Sequence, residues 1–208
     1  MMRALTKKIR PPAALARLIG DRRGVSAVEF ALLAPLLITL YLGCAEVSDG
    51  VAADRKVTLV AGALANLTAS CSNSNANSGG CSPNTTPPYN ISTTEMNNIL
   101  DASTAIIAPY SASNLAITVS CLSIDANKNA TVEWSVTRYG IARAKGAPYI
   151  FDSSASALDV PGQLILAEVS YGYTPVIGYT ITGTLTLSDR MFMSPRIAAP
   201  AYDGTACG

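Results

Sequence analysis

The chain contains no histidine among its 208 residues, which removes the side chain most often used as general base and most often used to bind transition metals. It is also poor in charge, at 14%, and in aromatics, at 6%. A nucleophile would then need a lysine or carboxylate partner, and no motif supplies one. The carboxylates stand singly, so the paired acids of a glycosidase are not visible either. No catalytic residue, cofactor or metal is expected, and the reading is not an enzyme. Asp125 to Asn129 collects acids and amides, yet it lacks the ligand count and the closing glutamate of a calcium loop, and reads as a hairpin connection.

What charge there is lies unevenly. Arg3, Lys7, Lys8, Arg10, Arg17, Arg22 and Arg23 stand against Asp21 alone in the first 24 positions, leaving eight basic and 13 acidic residues in the rest. An acidic body offers no basic patch to a nucleic acid, so that partner class is excluded. Residues 25–45, VSAVEFALLAPLLITLYLGCA, hold one ionisable carboxylate, Glu29. As a helix this run spans about 30 Å, enough to cross a bilayer. The basic front and the acids that follow (Glu46, Asp49, Asp54) orient a single-pass inner-membrane segment with its N-terminus cytoplasmic and its C-terminal domain periplasmic or extracellular.

Glu29 is the costly residue, because a carboxylate inside a spanning helix costs roughly 2.5 to 3.5 kcal/mol on insertion scales and calls for a positive partner. No cation lies in the span. Cutting after Gly24 would create one, since Val25 would then carry a free α-amine, largely protonated near neutrality. That amine could pair with Glu29 of its own chain or of a neighbour, and a neighbour would set axial register between subunits.

The stretch Arg22-Arg23-Gly24-Val25-Ser26-Ala27-Val28-Glu29-Phe30 resembles the processing site of type IV pilins, and RRGVSAVEFALLAPLL resembles the TadE-like minor pilins or pseudopilins of the tight-adherence (Tad, Flp) pilus system. Val169 to Pro175 and Ser194-Pro195-Arg196 are similar to stretches common in such domains. The resemblance implies a leader peptide at 1–24 removed by a prepilin peptidase, assembly contacts through Glu29, Phe30 and Pro35, and partners among other pilins and the platform proteins, with roles in pilus assembly and surface adhesion. Pro35 predicts a kink in the span.

Two other N-termini compete. A secretory signal shares the basic front and apolar middle but lacks a clean small-x-small site. A lipoprotein signal would use Leu42-Gly43-Cys44, with Tyr41 where leucine is usual. A reading of a different class is a membrane-tethered or lipid-anchored binding module at the cell envelope that does not enter a filament, which could use the tyrosines and Trp134 on surface carbohydrate.

Beyond the span the reading is α+β. Residues 46–70 predict a helical stalk, with Val47, Val51, Val57, Val60, Ala61, Leu64 and Leu67 apolar. Residues 71–208 form the exported domain. It opens on a Ser/Asn/Gly/Pro-rich loop at 71–90. Cys71 with Cys81, and Cys121 with Cys207, are the expected disulfide pairs in an oxidising compartment, other pairings staying open. Ser92 and Glu95 form a capping-box signature for a second helix ending by Pro109. Period-two patterns at Leu115 to Cys121, Val132 to Val136, Leu164 to Thr174 and Ile181 to Ser188 predict an antiparallel sheet of about four strands, buried on one face.

Overall fold

The computed structural model describes residues 23–70, 90–151, 161–175, 183–196 and 199–207. The expected leader up to residue 22, the loop bearing Cys71 and Cys81, and all but Pro175 of the turn expected from Pro175 to Tyr179 between the last two strands lie outside these. Contacts divide the chain into two compact units, residues 1–45 and 46–208.

The first helix, α1 (Arg23–Ala69), runs through Pro35. In the first unit its apolar side chains, among them Phe30, Leu32, Leu36 and Tyr41, are exposed. This segment is long and apolar enough to cross a membrane. Thr39 lies one turn beyond Pro35 and donates its hydroxyl to the carbonyls of Pro35 (3.0 Å) and Leu36 (2.9 Å). Such back-bonding satisfies a polar side chain where no water is at hand.

In the second unit the helix buries Ala53, Val57, Val60, Ala61, Leu64 and Ala65. These positions recur every three to four residues and so form one face. The face shares its core with Met96 and Leu100 of the second helix, α2 (Thr93–Ala105), and with the sheet. Ser92 caps α2. Its hydroxyl accepts the Glu95 N–H at 3.2 Å while the Glu95 carboxylate accepts the Ser92 N–H at 2.9 Å. Arg138 pairs with Asp101, tying α2 to the sheet.

The main sheet has five antiparallel strands where about four were expected: β2 (Leu115–Ile124), β3 (Ala130–Arg138), β4 (Pro148–Tyr149), β5 (Gly162–Tyr173) and β6 (Leu185–Met193), in the order β4-β3-β2-β5-β6. The fold is α+β. A further pair, β1 (Asn90–Ile91) and β7 (Ala201–Tyr202), is parallel. Two residues in each strand carry too little pattern to be read from sequence. The last strand of the main sheet starts at Leu185 and runs on to Met193, beyond the expected end at Ser188.

Burial departs from the one-faced sheet that alternation predicts. Between Cys121 and Leu122 the β2–β3 register slips, so that Cys121 faces Trp134 and Leu122 faces Val132. The extra residue, Glu133, breaks the period of two. Trp134 therefore enters the main core while Val132 joins Leu122, Ile124, Leu164 and Leu166 in a second, smaller one. Both faces of β2 are consequently buried. Asp125 closes the β2–β3 connection, accepting from the N–H of Asn127 (2.9 Å) and Asn129 (2.8 Å) and from the Asn129 amide (2.8 Å). These bonds, led by the Asn129 side chain, hold its carboxyl below the usual range, and they describe a hairpin turn.

Candidate functional site

In the first unit Gly24, Val25, Glu29 and Pro35 are all solvent-exposed along α1, as is Phe30. Val25 and Glu29 are four residues apart and so lie on one face of the helix, a turn from each other. Among the described residues, chain neighbours and the helix's own backbone aside, no atom lies within 4 Å of where a Cβ on Gly24 would stand, so packing among them gives no reason for glycine there. Glu29 makes no ion pair with a described residue.

The second unit is closed by its C-terminal segment. Cys121, fully buried in β2, is bonded to Cys207, with 6.0 Å between their Cα atoms. The Trp134 indole N–H donates to the Pro200 carbonyl at 3.0 Å, and its ring lies 5.8 Å from that of Tyr202. Arg196 donates its backbone N–H to the Ala69 carbonyl (3.2 Å) and its guanidinium to Asn66 (2.9 Å). A donor and a positive charge thus meet the end of α1, where carbonyls lack helical partners. The Ser194-Pro195-Arg196 stretch therefore acts in part as a helix cap.

Tyr110, Tyr171 and Tyr173 form a ring cluster, with Tyr110 6.3 Å from each of the others. The Tyr110 hydroxyl donates to the Asp49 carbonyl at 3.1 Å. Burial raises the pKa of all three phenols, helped by Asp49 for Tyr110 and Tyr173 and by Tyr110 for Tyr171. Trp134, Tyr149, Tyr171 and Tyr173 are buried, whereas Tyr139 is exposed. Tyr89 lies outside the described residues.

A feature with no sequence signal lies on the second face of the sheet. Residues 139–147 leave β3 and cross it as a strap. Gly140 sits so close that a Cβ would come 2.7 Å from the Thr137 hydroxyl and 3.1 Å from that of Thr118. Arg143 donates its backbone N–H to Ser135 Oγ (3.0 Å) and grips Glu168 through Nε (2.7 Å) and Nη2 (2.6 Å), with its guanidinium 4.9 Å above the Tyr149 ring. The hydrogen bonds to Glu168 raise the Arg143 pKa. Beside the strap opens a cleft of about 880 Å³. Two cross-strand rows floor it, Thr118-Glu168-Arg190 and Ala116-Ser170-Ser188. Arg143 and Glu168 are 25 positions apart, so nothing in the sequence joined them. Among the described residues no cluster of His, Cys, Asp or Glu could hold a metal ion.

Compared with known proteins, the chain matches the family model described as TadE-like protein over residues 24–65. No curated protein and no solved structure matches it.

Proposed function

From a chain that is TadE-like over residues 24–65, we propose that this protein is a minor pilin or pseudopilin of a tight-adherence pilus, cut after Gly24 by a prepilin peptidase. The observation that carries the proposal is the coincidence of three features in the matched segment. Residues 25–45 of α1, exposed and apolar and long enough to span a membrane, hold one carboxylate, Glu29, without a partner among the described residues. That carboxylate stands one turn from Val25, the residue a cut after Gly24 would turn into a positive N-terminus. A glycine that no neighbouring atom of the described residues requires precedes the bond. A peptidase that selects a small residue on the N-terminal side of its cut accounts for that glycine.

On this reading the leader stays cytoplasmic, residues 25–45 cross the inner membrane, and residues 46–208 are displayed outside, where the Cys121–Cys207 disulfide is stable. The span meets other pilins and the platform proteins through Glu29, Phe30 and Pro35, and the domain serves assembly and surface adhesion. The acidic body suits export and leaves no basic surface for a nucleic acid.

Two measurements test this together. Mass spectrometry of the protein extracted from membranes should give an N-terminus at Val25. In cells, Glu29→Ala should abolish or sharply reduce piliation while the amount of membrane-bound protein stays normal. A retained leader in cells with active peptidase, or full piliation by the variant, would overturn the proposal.

A further inference from the structure

We propose that the cleft between the strap and strands β5 and β6 is a binding site for a neutral oligosaccharide, an activity independent of the filament reading. Its floor lies on the face of β5, whose backbone groups are already paired with β2 on one side and β6 on the other. A ligand lying on that floor meets the side chains of β5 and not its backbone, so β5 itself cannot take up an added strand. Of the charged residues that line the cleft, Arg143 and Arg190 stand with Glu168 on the floor side, while Asp189, opposite Val169 in the register, accepts the Arg190 backbone N–H, so the lining residues sum to no net charge. With no net charge in the lining, neither a phosphate nor a metal ion is drawn in by its sum, and an uncharged polar ligand meets no charge repulsion.

The polar groups are also held in place before any ligand arrives. Arg143 fixes both oxygens of Glu168, yet the carboxylate side chain remains 28% exposed and keeps lone pairs for further donors. Ser170 and Ser188 add hydroxyls that donate or accept as the partner requires. Ile141, 91% exposed at the rim, offers an apolar surface to the C–H face of a sugar ring. A cleft of about 880 Å³ is in the range of small-ligand sites, about 300 to 1,000 Å³. Gly140 and the Thr118–Thr137 hydroxyl pair (2.9 Å) seat the strap that forms the wall. Mixed hydroxyls, a preset carboxylate and guanidinium, and no net charge fit a chain of neutral sugars.

The test uses the full-length protein in lipid nanodiscs, titrated by calorimetry and by ligand-observed NMR with cellotetraose, maltotetraose, chitotetraose and the anionic tetragalacturonate. At least one neutral tetrasaccharide should bind and saturate. Ser188→Phe, which fills the floor from an exposed position, should weaken it at least tenfold, and Ile141→Asp at the rim should weaken it measurably. Both variants should keep the unfolding temperature of the parent. Failure of all three neutral sugars to bind, tighter binding of tetragalacturonate, or unchanged affinity in both folded variants would each overturn the proposal. Glu29→Ala should leave sugar binding intact and Ser188→Phe should leave piliation intact, so either reading can fail without the other.

Discussion

Single side chains in this protein are often placed by partners far away in the chain. The tyrosine cluster shows what such placement does to chemistry. Tyr171 and Tyr173 belong to β5, Tyr110 follows α2, and Asp49 belongs to α1, yet they meet at one corner of the second unit. Burial disfavours the phenolate more than the phenol, so each pKa lies above its ordinary value. The sign follows from linkage: the folded protein holds these protons more tightly than the unfolded chain. The cluster's contribution to stability is therefore complete below the unfolded phenol value of about 10 and disappears as pH rises past it. Denaturant midpoints measured from pH 8 to 11.5 should fall steeply only above about pH 10. Tyr173→Phe, which cannot ionise, should show a shallower fall.

Among the elements, α2 was the most legible, because its start is written in two residues. Ser92 and Glu95 satisfy each other's backbone donors in the way their spacing implied. Ser92→Ala should lower stability by about 1 kcal/mol, read as a shift in denaturant midpoint with the helix retained by circular dichroism. The strands β2, β3 and β5 were legible for a related reason, since alternation marks a surface with an inside. Alternation fails where a strand has two insides. Val132, Trp134 and Val136 looked like one face of a strand, but the slip at Glu133 sends Val132 to one core and Trp134 to the other. Nothing local in the pattern marks a bulge. The two-residue strands β1, β4 and β7 were invisible for a different reason, because each exists only through its partner.

At the scale of the whole molecule, the second unit is sealed by its C-terminal segment. The disulfide joins positions separated by 86 in sequence. Closing a loop of that size lowers the entropy of the unfolded chain, by a contribution worth about 4.6 kcal/mol at most. Replacing Cys121 and Cys207 together by alanine should therefore lower the thermal midpoint by many degrees, and reductant should do the same to the parent but not to the variant. An equal loss in the reduced parent and in the variant would show that the pair acts through its bond and not through packing.

The helix long and apolar enough to cross a membrane was readable from composition alone, because a bilayer makes a local demand: some twenty apolar residues in a row. The capped helix and the alternating strands were local statements too, and α+β followed from their order. The strap, the cleft and the pairing of Arg143 with Glu168 were not local. They arise because β3 must hand the chain across the second face of the sheet, and because only glycine at 140 lets it pass close to Thr118 and Thr137. Periodicity records which side of a strand is covered; what covers it depends on residues brought there by the rest of the fold. So the sequence by itself determined the long apolar helix, the single carboxylate in its residues 25–45 and the kinds of elements beyond it, while the tertiary structure alone decided which polar side chains stand together on the sheet and face solvent.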